Sequence, residues 1–196
     1  MTEAAKEIFI IGGPNGAGKT TAATVLLPRF IRVQKYLNAD EIAREIAPEA
    51  PDSAAFAAGR AMIERMREFV RIQQSFAFET TCSGKTYLPL LERCKSTGWR
   101  IVIIYFWLST PEDAIARSSP GKQGWTRYPE GWIRRRYYSG IRNMLSLYLP
   151  LADEAEIYDN ADAGRILIAE KRMSNGLLVR DLDRWSSLKE ASAWNA

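Results

Sequence analysis

The sequence predicts an α/β protein in three layers: a mostly parallel central sheet, helices on both faces, and a C-terminal β-hairpin. Three observations predict it. Short apolar runs alternate with helical patterns along the 196-residue chain, the alternation that builds a parallel sheet covered on both sides. The run Ile101-Val102-Ile103-Ile104-Tyr105-Phe106 is uninterrupted, which suits a central strand buried on both faces. Ser174-Asn175-Gly176 lies between two strand candidates, 165–171 and 177–180, and is a strong hairpin signal.

The elements follow in order. Residues 7–12 contain Ile8-Phe9-Ile10-Ile11, short enough for a buried strand. Residues 21–27 are rich in alanine and leucine and predict a helix stopped by Pro28. A weaker strand is expected within 32–38, then a short helix over 41–47 before Pro48. Pro51-Asp52-Ser53 offers a cap for a helix reaching about 73, whose Ala58, Met62, Met66, Phe69 and Val70 keep a helical spacing. Residues 76–79 predict a third strand, and residues 87–95 a helix that turns Leu88, Leu91 and Cys94 to the core. The strongest strand signal covers 100–108. Ser109-Thr110-Pro111-Glu112 starts a helix with a hydroxyl cap, a first-turn proline and an acid at the positive end. Residues 118–128 lack apolar periodicity and read as a mobile, lid-like segment. Pro129-Glu130 opens a helix expected to run to 149, followed by a strand at 156–158 and a helical tail over 181–194. With no repeat, low-complexity tract or linker, residues 1–196 read as one domain.

Bulk composition narrows the function classes. With 46% hydrophobic and 26% charged residues the chain is an ordinary globular sequence. The net charge of +4 favours anionic ligands, but the basic residues are dispersed and no nucleic-acid-binding fold is recognised, so nucleic acid is not an expected partner. There is no histidine, and the cysteines are Cys82 and Cys94 alone. Zinc sites, Cys–His nucleophiles and Ser–His–Asp hydrolysis are therefore unsupported. No segment reads as a secretory signal or a membrane span, so the expected location is the cytoplasm.

The chemistry centres on Gly13-Pro14-Asn15-Gly16-Ala17-Gly18-Lys19-Thr20, which fits G-x-x-x-x-G-K-[ST]. A strand, a glycine-rich turn and a helix N-terminus aim backbone N–H groups and a helix dipole at one anion site, to which Thr21 also belongs. In such a loop Lys19 reaches the β- and γ-phosphates of a nucleoside triphosphate, and the Thr20 hydroxyl joins a Mg²⁺ shell. Open α/β sheets place ligands beyond the C-terminal ends of their strands. The loop, residues 38–40, 79–81 and 109–112 are therefore expected to converge. Asp40 suits either a general base for an incoming hydroxyl or the N-cap of the helix after it. Glu79 suits either an acceptor-binding or metal-linked carboxylate or an ion pair at a sheet edge. Thr80 and Thr81 offer hydroxyls, as turn threonines do. Arg117, Lys122, Arg127 and Arg134-Arg135-Arg136 bracket the lid-like segment, where guanidinium groups would match a γ-phosphate; singly, each also suits a solvated surface.

Further motifs carry a family resemblance. Asn38-Ala39-Asp40, Phe78-Glu79-Thr80-Thr81-x-Ser83-Gly84-x-x-Tyr87 and Tyr105-x-Trp107-Leu108-x-x-Pro111-Glu112-x-Ala114-Ile115-Ala116-Arg117 accompany the phosphate loop. So do Arg134-Arg135-Arg136-Tyr137, Arg142-Asn143, the run from Leu147 to Asp153, and Tyr158-Asp159-Asn160. Together they resemble the zeta-toxin family of P-loop kinases, in particular its free-standing bacterial branch, often labelled a predicted ABC-type ATPase. The resemblance implies a P-loop kinase-like fold that transfers the γ-phosphate of ATP, with Mg²⁺, to a small-molecule hydroxyl. In the best-known members the acceptor is the nucleotide sugar UDP-N-acetylglucosamine. By motif position it makes Lys19 the phosphate lysine, Thr20 the metal ligand, Asp40 the general base, and Arg117 a phosphate-contacting arginine. Asn38, Glu79, Thr80 and Thr81 fall on the acceptor side. A toxic role would imply an inhibitory antitoxin partner. The chain departs from the branch at Gly124-Trp125-Thr126-Arg127-Tyr128-Pro129, which lacks the usual Gly-Gly-His. Arg127 is the candidate second catalytic arginine, with Arg134 behind it. The departure keeps two alternatives open: another small acceptor (a nucleotide, coenzyme or antibiotic hydroxyl), or a regulatory module that binds ATP and turns it over slowly or not at all.

Overall fold

The computed structural model describes residues 6–30, 35–118, 129–161, 164–173 and 175–194. In chain order the elements are β1 (Glu7–Gly12), α1 (Lys19–Phe30), β2 (Tyr36–Leu37), α2 (Ala39–Ile46), α3 (Ala55–Arg71), β3 (Phe76–Thr80), α4 (Leu88–Ser96) and β4 (Arg100–Trp107). Then come α5 (Pro111–Arg117), α6 (Glu130–Asn143), α7 (Leu149–Leu151), β5 (Glu154–Asp159), β6 (Ile166–Arg172), β7 (Gly176–Val179) and α8 (Leu182–Ala193). The strands form one seven-stranded sheet in the order β2-β3-β1-β4-β5-β6-β7. β2 through β5 run parallel, and β6 and β7 close the sheet antiparallel. Helices lie on both sides, as the alternation of elements predicts.

Position in this sheet follows from composition. β1 and β4 carry the longest apolar runs and lie inside it; Ile8, Ile11, Ile101, Ile103, Tyr105 and Phe106 are fully buried. Burying side chains of this kind is worth roughly 1.5–3 kcal/mol each. Phe76 and Phe78 of β3 continue the core toward Met62 and Met66 of α3 and Leu91 and Cys94 of α4, the faces expected from helical spacing. On the other face of the sheet Phe9 and Ala77 form a smaller cluster with Tyr36 and Val102. The chain leaves β1 toward β3 and β2 on one side and toward β4 and β5 on the other. The crevice beyond the strand tips therefore opens at the phosphate loop.

Local details differ from the sequence reading where a proline or a cap decides. α1 continues two residues past Pro28, because a proline in a last turn removes one backbone bond without ending the helix. α2 starts at Ala39, and Asn38, not Asp40, is its cap: the Asn38 side chain accepts from the Asp40 N–H at 2.8 Å. Pro51–Ala54 form a 3₁₀ turn without a side-chain cap, and α3 begins only after it. The helix from Glu130 passes through a wide π turn over Met144–Tyr148 before α7, and so gets past Pro150. In a regular α-helix the proline ring would press on the carbonyl four residues back, and the wide turn relieves that clash. The lid-like segment expected over 118–128, including Lys122, Arg127 and the departure at 124–128, lies outside the described residues apart from Ser118. Among the described residues, no helix is long and apolar enough to cross a membrane.

Candidate active site

The phosphate loop is built by close approaches that only glycine permits. Gly13 has φ +146°, and a Cβ there would lie 2.3 Å from the Phe106 carbonyl oxygen of β4. Gly16, at φ +75°, would place a Cβ 2.7 Å from that of Arg117. The turn is pinned from three sides. The Gly13 N–H donates to the Thr80 carbonyl (3.2 Å), the Ala17 N–H to the Pro14 carbonyl (3.2 Å), and the Asn160 amide to the Ala17 carbonyl (2.8 Å). Lys19 and Thr20 open α1 at the end of this turn, and Thr21 after them is exposed.

Glu79 is the hub of the cleft. Its Oε2 accepts hydrogen bonds from the Thr20 hydroxyl (2.8 Å), the Tyr36 hydroxyl (2.6 Å) and the Asn38 amide (3.1 Å); its Oε1 lies 3.7 Å from Lys19 Nζ. The sheet-edge alternative for Glu79 is removed, because β3 lies between β2 and β1. Lys19 is 7% exposed and also donates to the Pro14 carbonyl at 2.8 Å. Burial lowers its pKa, while the Glu79 charge opposes that shift. Burial raises the Asp40 carboxyl above its ordinary value, and the like charge of Glu79 adds to the rise. The Tyr36 phenol is raised by burial and by Glu79, so it stays protonated and keeps donating.

The cleft these groups floor has a volume of about 360 Å³. Asn15, Lys19, Asn38, Asp40, Glu79, Thr80 and Thr81 all line it. The turn after β3 forms one side, and α6 holds it in place. The Asn143 amide donates to the Cys82 and Ser83 carbonyls, both at 3.0 Å, and the Tyr148 hydroxyl to the Gly84 carbonyl at 2.9 Å. Cys82 takes φ +57°, a conformation that the surrounding hydrogen bonds sustain. Burial pushes its thiol up to about 12, which removes it as a nucleophile at neutral pH. Gly140 of α6 touches the same turn, and a Cβ there would lie 2.4 Å from the Thr81 carbonyl oxygen. Gly140→Ala should therefore destabilise the fold by about 1–3 kcal/mol through overpacking. A thermal melt compared with Gly131→Ala, whose added Cβ would meet nothing within 4 Å, checks this.

The arginines are arranged differently from the sequence expectation. Arg117 packs its Cβ near Gly16, but its guanidinium donates to the Asn160 carbonyl (2.8 Å) and the Ala161 carbonyl, not into the cleft. Those carbonyls, at the end of β5, draw it away from Asp40 and Glu79. Arg127 lies outside the described residues, and Arg134 pairs with Glu112 at 2.6 Å. Arg136 is the arginine of the triplet that lines the cleft, stacked 4.1 Å over Trp132 with Nε donating to Ser83 Oγ at 3.1 Å. Sequence reasoning also missed Tyr36. Its place two residues before Asn38, at a strand tip, was the available signal.

Two oxygen donors for a divalent metal stand side by side, Thr20 Oγ1 and Glu79 Oε2, 2.8 Å apart. Among the described residues no group of three or more His, Cys, Asp or Glu could hold a metal. This pair fits Mg²⁺, which takes one or two protein oxygens and completes its octahedron with phosphates and water.

The chain has the fold of the zeta-toxin-like P-loop kinases, a mostly parallel sheet with the phosphate loop after β1, as its likeness to solved structures shows. No family model matches the sequence. An uncharacterized protein of Haemophilus influenzae is 29% identical over 133 residues, 67% of this chain and 92% of that one. Solved structures of the AvrRxo1-ORF1:AvrRxo1-ORF2 complex superpose with a TM-score of 0.71: with sulfate ions at 13% identity, and with ATP at 12%. Each covers 98% of this chain, which spans 66% of the matched chain. A structure of the PezAT toxin–antitoxin system of Streptococcus pneumoniae superposes with a TM-score of 0.63 at 14% identity, over 100% of this chain and 82% of that one. At these identities the likeness is one of fold.

Proposed function

We propose that the protein is an ATP- and Mg²⁺-dependent small-molecule kinase that transfers the γ-phosphoryl group to an alcohol, with nucleotide sugars such as UDP-N-acetylglucosamine the first acceptor class to test. The observation that carries this reading is that Lys19 and Asp40, each in the first turn of the helix that follows a strand, and Glu79 at the end of β3 line one cleft. In it the acceptor hydroxyl oxygen attacks the γ-phosphorus, the bond to the β,γ-bridging oxygen breaks, and ADP leaves. Asp40 takes the hydroxyl proton, and its raised pKa makes it a better base than an exposed aspartate. Lys19 meets the charge on the β- and γ-phosphates. Mg²⁺, bound through Thr20 and Glu79, would neutralise charge on the phosphate oxygens. Asn38, Thr80 and Thr81 orient the acceptor, while Arg117 and Arg127 are assigned to the phosphates by family position. ATP use is supported by the AvrRxo1 complex solved with ATP. The PezAT system supports an inhibitory antitoxin partner, and ATP dependence fits action in the cytoplasm.

The test is incubation with γ-labelled ATP and a panel of nucleotide sugars, nucleosides, coenzymes and aminoglycosides, followed by mass analysis of the product. A phosphorylated alcohol supports the reading and identifies the acceptor. Tight ATP binding without transfer to any panel member overturns it in favour of a regulatory module. Tyr36→Phe gives a second check: Glu79 loses its 2.6 Å donor but keeps Thr20, Asn38 and Lys19. Losing one hydrogen bond to a charged group costs about 1.5–3 kcal/mol of folding stability, so the thermal midpoint of the free protein should fall. A melt without nucleotide or metal measures it.

A further inference from the structure

Five charged side chains among the described residues line the cleft: Lys19, Arg60 and Arg136, and the acids Asp40 and Glu79. Lys19, Asp40 and Glu79 have roles in the reaction above, whereas Arg136 has none. It is nevertheless fastened on two sides. Its guanidinium lies 4.1 Å over the ring of Trp132, one helical turn earlier on α6, and its Nε donates to Ser83 Oγ at 3.1 Å. Ser83 Oγ in turn shares a hydrogen bond with Thr81 Oγ1 at 2.9 Å. A long side chain gives up rotamer freedom when held in this way. Its planar fork is then fixed in place before any anion arrives.

The turn that carries Ser83 adjoins the phosphate loop. Gly12 pairs with Thr80 across neighbouring strands, the Gly13 N–H donates to the Thr80 carbonyl, and the Cys82 sulfur would lie 3.3 Å from a Cβ on Gly12. The Arg136 charge is felt at both ends of the reaction path. Burial lowers the Lys19 pKa, and Arg136 adds to the fall. Burial and Glu79 raise that of Asp40, and Arg136 is among the cations that oppose the rise. Lys19 marks the β- and γ-phosphates and Asp40 the incoming hydroxyl, so the phosphoryl group in transit lies between them. The other cations are engaged elsewhere. Lys19 is offset by Glu79 at 3.7 Å, Arg60 sits 4.7 Å over the Phe56 ring of α3, and Arg117 turns to the carbonyls of Asn160 and Ala161. A γ-phosphate brings further negative charge to this corner, and Arg136 is placed to meet it.

Resting on the kinase reading, we propose that Arg136 binds the γ-phosphoryl group in this cleft, and that Trp132 and Ser83 are positioning residues that hold its guanidinium for the task. This puts on α6 a contact that family position alone gives to Arg117 and Arg127. The acceptor oxygen bonds to the γ-phosphorus and the β,γ-bridging oxygen leaves with the electron pair of the broken bond. Throughout, the fork stays on the non-bridging oxygens of the group in transit.

The test needs no acceptor. Calorimetry on the full-length protein compares the Mg²⁺ complexes of ADP and of the β,γ-imido analogue of ATP, which carries the additional γ-phosphoryl group. Arg136→Met should weaken the ATP analogue about tenfold or more and leave ADP within about twofold. Arg136→Lys keeps the charge without the fork and should fall between wild type and Arg136→Met. Ser83→Ala should weaken the analogue about threefold or more with ADP unchanged. Its turn stays in place, because the Asn143 amide holds the Cys82 and Ser83 backbone carbonyls. If Arg136→Met does not fold, Arg136→Lys and Ser83→Ala carry the same comparison. Equal weakening of both nucleotides, or of neither, overturns the proposal while the kinase reading stands. An unchanged Ser83→Ala beside a selective Arg136→Met removes the positioning role alone. A wild-type protein that binds neither nucleotide removes the kinase reading and this contact with it. Selective loss of the ATP analogue, with no phosphate transferred to any alcohol, leaves Arg136 assigned and the kinase reading fallen.

Discussion

Asp40→Asn is expected to slow phosphoryl transfer by about 10²–10⁴-fold, the range for removal of a general base, while raising the thermal midpoint of the free protein. Both halves follow from one environment. Asp40 stands in the first turn of α2 beside the Glu79 carboxylate, where burial and a like charge disfavour ionisation. Its folded-state pKa therefore lies above the unfolded one, near the ordinary 3.8. The folded protein holds that proton more tightly, so stability falls as pH rises through the interval between the two values. At neutral pH the ionised side chain is a net cost to folding, and the uncharged amide removes it. Activity moves the opposite way, since the base works only when ionised. The acid limb of the wild-type rate profile should lie above the ordinary aspartate range and flatten in the Asn variant. A pH–rate series and a melt without nucleotide or Mg²⁺ measure both; wild-type turnover in Asp40→Asn removes the base assignment.

Lys19→Met is the second large effect. The ammonium is buried, donates to the Pro14 carbonyl, and stands 3.7 Å from Glu79 Oε1. In that water-poor corner one positive donor is worth far more than on the surface, and its loss should cost on the order of 10²–10³ in kcat. Lys19→Arg is not a rescue. The planar fork of guanidinium needs more room than a loop whose glycines already touch Phe106 and Arg117 provides. Single-turnover kinetics with labelled ATP test the pair, and near-wild-type transfer in either variant is incompatible with this role.

Much of this site was legible because its parts are local. The eight-residue loop carries its own geometry in Gly13, Gly16 and Gly18, and the strand-tip rule led directly to Asn38, Asp40, Glu79, Thr80 and Thr81. What stayed hidden depended on register and on long-range contacts. Tyr36 reaches Glu79 because β2 pairs with β3 at Tyr36↔Ala77 and Leu37↔Phe78, a pairing no local pattern announces. Three successive arginines on a helix point about 100° apart, so the sequence could not say that Arg136 faces the cleft while Arg134 turns to Glu112. The expectation for Arg117 missed two carbonyls more than forty residues away, beyond β5.

The Asn160 clamp on Ala17 spans 143 positions of sequence, and that separation orders events during synthesis. The anion-binding bend leaves the ribosome well before its brace, which is made more than a hundred codons later. At about 5–20 residues per second, the growing chain spends several seconds with an unbraced nucleotide cradle. Stalled nascent chains ending before residue 160 should consequently hold nucleotide more weakly than chains extended through β7, so that a braced cradle waits for the end of β5 rather than arriving with the loop itself.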